Sequence, residues 1–346
     1  MTDQKPKFRL PWIHTPEENA ARDEAVRRRA EVERKAAVDY ADEQRRQGLD
    51  YASLQRGGLP IQAIERLKEI GKTDSDSVLF TSDLSPEEAG LLRREGYRSR
   101  GLVTGSCVYH VGQAYASSQG SCEVKVLSDA YDKATELAVS RMKQELRLIG
   151  AHGVVGVRLE VVRHEWADKT VEVQVIGTAV EGPGIAPQDP WLCDLSGQEW
   201  WSLYRAGYLP TTLVWGHCAW FVLTTYTDEW IETSYTNQEH SDWSMALSRA
   251  RHIAMSTVRT LATQHKSVGV AGVKISRRLD EVRLSGPGED PAYEREHHNL
   301  VISIIGTAIK DRPDAPAGVT PTVEILSLRD GRITPVVMKT VDAKIE

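Results

Sequence analysis

The 346-residue chain lacks the short motifs that usually identify an enzyme or a metal protein. It contains no C-x-x-C, no H-E-x-x-H and no G-x-S-x-G, which argues against the common zinc sites, zinc proteases and serine hydrolases. Its four cysteines, at positions 107, 122, 193 and 218, are widely spaced. No catalytic and no cofactor-binding residue follows from any motif, and we predict a protein that is not an enzyme.

The sequence also lacks a long apolar run and an excess of positive charge. No segment approaches the roughly 18 apolar residues that would cross a bilayer, and the first residues carry no apolar signal region. The formal net charge is −6, whereas a nucleic-acid-binding protein normally carries a basic surface. We therefore expect a reduced, cytoplasmic protein with no nucleic-acid partner and with membrane contact disfavoured.

What the sequence does contain is an internal repeat. Residues 83–88 (DLSPEE) return as 194–199 (DLSGQE), and residues 102–107 (LVTGSC) return as 213–218 (LVWGHC). Both pairs have the same offset of 111 residues (194 minus 83, and 213 minus 102). Later segments match at larger offsets, such as GVVGV at 153 and GVAGV at 269, so the second copy carries insertions. The pattern indicates a duplicated module of about 100 residues.

Each copy has the same order of predicted elements. A short helix with a capping box is followed by a β segment, a long helix and two strands. The long helices, over 129–149 and 243–263, carry apolar residues at three-to-four spacing. We predict an α+β fold of two tandem β-α-β-β two-layer modules with antiparallel sheets, preceded by N-terminal helices.

Four segments are expected along the chain. Residues 1–77 form an N-terminal helical arm and linker, 78–182 the first module, 191–311 the second module, and 312–346 a tail with a predicted hairpin. Within the arm, a helix should begin near Thr15 and run to Arg46, with Gly48 as its stop. Residues 5–13 are basic with apolar anchors, which suits contact with an anionic membrane surface or with a protein partner. The balanced charge of the helix that follows argues against the membrane and favours a solvated arm or a helix that contacts the oligomer.

One helix can cover only one face of a three-stranded sheet, so each module should have a bare face. Such a face predicts association, either between the two copies or between chains. The second copy is rich in tryptophan, and these rings could fill an interface or line a ligand pocket. We favour the interface. The tryptophans concerned are Trp191, Trp200, Trp201, Trp215, Trp220, Trp230 and Trp243.

Four segments, in order, resemble the YbjQ-like family, which is labelled as heavy-metal-binding. They are Gly96-Tyr97, LVTG at 102–105, LIGAHGVVGVR at 148–158 and VIGTAV at 175–180. The resemblance covers about 95–181 well and about 206–310 more loosely. It implies a dodecin-like subunit that forms rings, typically pentamers, with no defined catalytic residues. His152 stands where the family usually has Asn, and residues 285–298 are an insertion in the second copy.

The candidate metal ligands are Cys107, His110, His152, His217 and Cys218. Cys107 and Cys218 occupy matching positions, yet His110 and His217 should point to the opposite face of their strand from the nearby cysteine. Buried structural thiols are the simpler interpretation of both cysteines. His152 lies in a helix-to-strand turn that could converge on a ring axis, although a turn residue is again the simpler interpretation.

We therefore predict a cytoplasmic, ring-forming homo-oligomer that acts as a structural or scaffold protein, and the resemblance implies a pentamer. The N-terminal arm would contact a protein partner. The alternative is a protein that binds a metal or another small ligand at subunit interfaces, for which a divalent metal ion would be the cofactor. Neither reading assigns a catalytic group.

Overall fold

A computed structural model describes residues 16–72, 82–112, 120–163, 170–224, 231, 233–284, 295–313, 323–326 and 333–336. The described chain is a mixed α+β protein, as the sequence predicts, with two main antiparallel sheets. It divides into two compact units, residues 1–62 and residues 63–346. The predicted arm at 5–13 and the inserted loop at 285–294 lie outside the described residues, as does Trp230.

The first unit consists mainly of one long helix. α1 spans Pro16–Gln55, and α2 begins at Ile61 and runs to Lys72. The predicted stop at Gly48 is wrong, since α1 continues through it for seven residues, to Gln55. The chain instead leaves the helix at Gly57, whose φ of 75° suits a helix terminus. The larger apolar residues of α1, such as Val26, Val38 and Tyr40, are exposed.

The second unit contains most of α2, followed by a short helix, α3 (Pro86–Arg94), and a sheet. Its strands are β1 (Arg98–His110), β3 (Gly153–Arg163) and β4 (Thr170–Glu181), and α4 (Lys125–Leu148) packs on β1 and β4. The short β2 (Cys122–Glu123) precedes α4, and β5 (Trp191–Leu192) joins the sheet by pairing parallel with β3. The strand order is β1-β4-β3-β5.

A second sheet follows in the same element order. α5 (Gly197–Arg205) leads into β6 (Tyr208–Val222), then α6 (Ser241–Gln264), β7 (Gly269–Leu284) and β8 (Arg295–Asp311). The strand order is β2-β6-β8-β7, so β2 from the first half of the unit completes the second sheet. In the tail, β9 (Val323–Leu326) pairs antiparallel with β10 (Ile333–Val336).

The two sheets agree in detail as well as in order. Leu102 pairs with Thr178 in the first sheet, and Leu213 pairs with Thr307 in the second. A bulge falls between Val155 and Arg158 in β3 and between Ala271 and Lys274 in β7. Each bulge contains a glycine with positive φ, at position 156 or 272. The repeated sequence segments therefore occupy equivalent positions in the two sheets.

Glycine also fixes how each long helix crosses its sheet. A Cβ at Gly105 in β1 would collide with the carbonyl oxygen of Ala138 in α4. A Cβ at Gly216 in β6 would collide in the same way with that of Ala254 in α6. Each helix can therefore approach its strand closely only because the strand lacks a side chain there.

The expectation of one bare face per sheet holds only in part. The burial pattern of β1 alternates, but β6 is buried continuously from Gly216 to Val222. One side of β6 faces α6, and α4 from the first half of the unit packs against the strand as well. Within the described residues, no helix is long and apolar enough to cross a membrane.

Candidate functional site

The joint between the two sheets is built by α4 and the edge of β6, which the two-residue β2 covers only at Trp220 and Phe221. The backbone N–H of His217 donates to Asp132 Oδ1 at 3.1 Å, and that of Ala219 donates to Ser128 Oγ at 3.0 Å. The N–H of Val124, at the start of α4, donates to the carbonyl oxygen of Ala219 at 2.8 Å. Side chains of a helix thus satisfy the edge of a strand that would otherwise be unpaired.

His217 is the buried centre of this joint. Its Nε2 lies 3.0 Å from Thr135 Oγ1 in α4, and its Nδ1 lies 2.8 Å from Ser303 Oγ in β8. Burial lowers the pKa of the imidazole to about 4, so the ring is neutral near pH 7. Because both nitrogens have hydroxyl partners, a metal ion could bind only by displacing one of them.

Two further contacts of α4 tie the joint together. Burial raises the pKa of Asp132 to about 7, although the N–H of His217 opposes this shift. The guanidinium carbon of Arg278 in β7 lies 5.6 Å from the centre of the Tyr131 ring. Its Nη2 also donates a hydrogen bond to the Tyr131 hydroxyl. α4 therefore contacts the second sheet at β6 and at β7.

A groove runs between β3 of the first sheet and the outer face of the second. Its volume is about 400 Å³, and Asp194 and Lys274 stand among its charged lining residues together with Arg158 and Glu160. His217 and Trp215 line it from β6. A mixture of apolar walls and a few charged groups is the usual composition of a small-molecule site.

The structure also shows a repeated polar cluster that sequence reasoning missed. Asp194 accepts a hydrogen bond from Thr307 Oγ1 and lies 3.3 Å from Lys274 Nζ. Burial raises the pKa of Asp194, and the contacts with Thr307 and Lys274 oppose that shift. The identity of the repeated Asp-Leu-Ser segment was the available signal, but the three partners come from distant parts of the chain.

The first half of the unit holds the equivalent cluster. The backbone N–H of Asp83 donates to Thr178 Oγ1 at 3.0 Å, and Arg158 Nη2 lies 2.9 Å from Asp83 Oδ2. In each half, the aspartate of the repeated segment thus contacts one cationic side chain and one threonine. The clusters fix the segment before each short helix onto its own sheet.

The structure separates Cys107 from His110. Cys107 is buried and His110 is exposed, so the two side chains lie on opposite faces of β1, as predicted. Cys218 is buried in the cluster beneath α6, and burial raises the pKa of its thiol to about 12. Burial also raises the pKa of Cys107, although Arg141 opposes the shift. Both thiols are thus protonated at neutral pH.

His152 lies apart from these residues in the turn between α4 and β3. Its backbone N–H donates to the carbonyl oxygen of Val180, and its carbonyl accepts from Trp191. The side chain is buried, and neither ring nitrogen has a hydrogen-bond partner among the described residues. In the part of the chain that the structure describes, no three His, Cys, Asp or Glu side chains form a group that could hold a metal ion.

Some of the tryptophans lie where the two halves meet. Trp191 and Trp200 stack with centroids 6.0 Å apart, and the Tyr97 ring stands edge-on to Trp200 at 4.9 Å. This aromatic cluster packs with buried residues from both halves, including Leu92 and Leu195. The interface interpretation is confirmed for these two tryptophans. Trp220 and Trp243 belong instead to the core beneath α6, and Trp215 lines the groove.

These features describe an α+β protein whose most developed site is an interface between two similar sheets. The chain belongs to the YbjQ family, whose model, described as "Putative heavy-metal-binding", matches residues 96–182. It is 32% identical over 226 residues to an encapsulin nanocompartment protein of Mycobacterium tuberculosis, which covers 64% of this chain and 84% of that protein. It is 34% identical over 92 residues to a UPF0145 protein of Helicobacter hepaticus, which covers 25% of this chain and 87% of that protein. No solved structure matches this chain.

Proposed function

We propose that this chain is a non-enzymatic scaffold protein of the cytoplasm that assembles with copies of itself into a ring. The observation that carries the proposal is the joint at His217, where one sheet and its helix accept the edge of a second sheet. A protein that uses this joint within one chain has a ready means of building a larger assembly. The similarity to a nanocompartment protein over 84% of that protein's length supports a structural role.

The proposal includes a duplicated YbjQ-like module, over 78–182 and 191–311. Matching strand order, matching register and two bulge glycines at equivalent places support the duplication. The match of the family model to residues 96–182 supports the first copy directly. In a pentamer, five chains would then supply ten modules. The exposed α1 would remain outside the ring contacts and serve a protein partner.

The test is native mass spectrometry of the full-length, untagged protein, with metal content determined on the same sample. We expect a discrete homo-oligomer without a fixed amount of metal. A monomer at every accessible concentration would overturn the scaffold proposal. An oligomer of defined size supports it whatever the number of chains.

A second candidate function is the binding of a metal or a small ligand, which the groove favours. Its volume of about 400 Å³ and its charged residues suit a small polar molecule better than a flat interface would. A constant metal-to-chain ratio after purification, lost in the His152→Ala or His217→Asn variant, would support a metal site. Metal content that varies between preparations would count against it.

A further inference from the structure

The strand that forms the joint is buried, whereas its counterpart in the first sheet is not. Ala219 in β6 is 0% exposed beneath α4, and its counterpart at the offset of 111 residues is Val108 in β1, which is 62% exposed. His217 and Phe221 are also buried, and their counterparts Ser106 and His110 are exposed. Since β1 forms the edge of its sheet, it presents the same kind of surface as β6, but its positions 106, 108 and 110 are exposed where the equivalent positions of β6 are buried.

The long helices α4 and α6 also differ in burial, but here the helix of the second half is the more exposed. α4 and α6 start and end at equivalent positions, with an offset of 116 residues (241 minus 125). The residues of α4 that face β6 include Ser128 and Tyr131, both buried. Their counterparts in α6 are Ser244, which is exposed, and Leu247, which is half-buried. The chain therefore has an uncovered strand edge at one end of the repeat and an uncovered helix face at the other.

The chemistry of the two uncovered surfaces fits. In the intrachain joint, Ser128 and Asp132 are the side chains that accept N–H groups from β6. At the equivalent places, α6 carries Ser244 and Ser248, whose hydroxyls can accept in the same way. The N–H groups to be accepted are those of Val108 and Ser106.

In one contact of the joint, both residues differ in type from their counterparts in the other half of the unit. Tyr131 of α4 contacts Arg278 of β7, which is a polar pair. The counterpart of Tyr131 is Leu247 in α6, and the counterpart of Arg278 is Val162 in β3, which is exposed. The polar pair of the joint therefore corresponds to two apolar residues at the equivalent positions. A contact between Leu247 of one chain and Val162 of another would remove both apolar side chains from water.

The far edges of the sheets show the same asymmetry. Val157 in β3 is 2% exposed, because the chain after β5 bonds to the bulge of β3 through the carbonyl oxygens of Cys193 and Leu195. Its counterpart in β7, Val273, is 42% exposed. β7 thus lacks the cover that β3 has. The counterparts of residues 193 and 195 are residues 82 and 84, at the start of the first half of the repeat.

We propose that a second copy of this chain repeats the joint, placing its β1 edge against α6 and its residues 82–84 against the β7 bulge. The contact is head-to-tail, so every chain offers one surface and accepts the other, and the assembly closes into a ring when the rotation between chains allows it. This inference rests on the proposed scaffold function and supplies the surfaces that the function requires. The intrachain joint at His217 is its template.

The experiment uses the full-length protein with single and paired substitutions, measured by native mass spectrometry and sedimentation velocity. The Leu247→Glu and Val108→Glu variants should lower the association constant about a hundredfold or more, because each buries an unpaired charge. Adding Val162→Arg to Leu247→Glu should restore assembly by pairing the two charges. The control is Leu148→Glu, which changes an exposed residue near the end of α4 and should assemble like the wild type.

The outcomes separate the inference from the function on which it rests. If the wild type is an oligomer and both Leu247→Glu and Val108→Glu assemble normally, this interface is wrong and the scaffold function stands. If the wild type is a monomer, both fail. Circular dichroism melting of each variant shows whether lost assembly reflects an altered surface or a lost fold. A variant that melts far below the wild type is replaced by Leu247→Ser or Val108→Ser, for which a smaller loss of assembly is expected.

Discussion

Two strands with nearly the same sequence pattern have different surroundings in this protein. β1 and β6 share the pattern L-V-x-G-x-C and are crossed by a helix at the same glycine. β1 alternates between buried and exposed positions, while β6 is buried at each position from Gly216 to Val222. The difference teaches that the second half of the unit is protected by the first, and that the described residues give the first half no equivalent protection.

The largest effect expected from this comparison comes from placing a charge on each strand. Ala219→Glu buries an unpaired carboxylate beneath α4 and should cost about 4 kcal/mol or more of unfolding free energy. Val108→Glu places the same charge on an exposed position and should change the stability of the isolated chain by about 0.5 kcal/mol at most. Urea unfolding at a concentration that keeps the chains apart measures both. Equal losses would show that the two strands do not differ as described.

The aromatic cluster between the two halves should be the next most sensitive place. Trp200 is fully buried, and Trp200→Ala should cost about 4 kcal/mol through lost burial and the cavity left behind. Its half-buried neighbour Trp201 donates a hydrogen bond to Glu95, and Trp201→Ala should cost clearly less. Thermal unfolding of the two variants tests the order. A smaller loss in Trp200→Ala would mean that the halves do not depend on this cluster.

His217 should make stability depend on pH. The pKa of its imidazole is about 4 in the fold, against an ordinary value of 6.5. Between these values the unfolded chain binds a proton that the folded chain does not, so this histidine lowers stability as pH falls from 6.5 to 4. Over this pH range the free energy of unfolding falls by about 3 kcal/mol on account of this histidine. The stability gap between wild type and His217→Asn should therefore narrow by roughly that amount between pH 7 and pH 4.

Asp132 acts in the opposite direction, which makes the comparison with the variant necessary. Its pKa is raised to about 7, so between pH 3.8 and pH 7 the folded chain holds a proton that the unfolded chain has lost. The contribution of Asp132 to the free energy of unfolding therefore decreases as pH rises through this range. Because Asp132 is present in both proteins, subtracting one stability curve from the other isolates the histidine. A gap that stays constant with pH would contradict the buried, neutral ring.

The capping boxes should behave alike in the two halves. Ser85 accepts from the N–H of Glu88, and Ser196 accepts from that of Glu199. We expect Ser85→Ala and Ser196→Ala each to cost about 1 kcal/mol, since both remove the cap of a short helix. Chemical denaturation measures both, with Ser140→Ala, at an exposed position of α4, as the control. A large loss in only one variant would show that the equivalence of α3 and α5 is superficial.

The smallest effect leaves stability unchanged and concerns thiol reactivity. Cys122 is half-buried, whereas Cys218 is fully buried with a pKa raised to about 12. A thiol reagent at pH 8 should modify Cys122 first and Cys218 much more slowly, with Cys107 between them because Arg141 opposes the rise of its pKa. Mass spectrometry of time points identifies the order, and all sites should react together in denaturant. Early modification of Cys218 would contradict the continuous burial of β6.

Most of the fold could be predicted from local patterns. The capping boxes located α3 and α5, and the apolar stripes located α4 and α6 within a few residues. Gly48 misled the prediction because a glycine costs a helix only about 1 kcal/mol, which the rest of α1 tolerates. The helix ends just before Gly57, which adopts a positive φ. The presence of glycine in the sequence does not reveal which glycine adopts this conformation.

The candidate site was harder to predict because its partners are distant in sequence. His217 was singled out as a ligand beside Cys218, yet its side chain meets Thr135 and Ser303, which are more than 80 residues away on either side. The repeated cluster of aspartate, cation and threonine was overlooked for the same reason. Spacing within one strand predicts which face a residue occupies, but it cannot predict which element covers that face.

The sequence by itself determined the repeated elements, the helix caps and the family, since these depend on neighbouring residues and on backbone geometry. Tertiary structure alone decided that α4 serves two sheets and that β6 is covered where β1 is open. The physical reason is that burial and hydrogen bonding at a strand edge depend on what packs there. Identical local patterns acquire different environments when only one of them has a neighbour in its own chain.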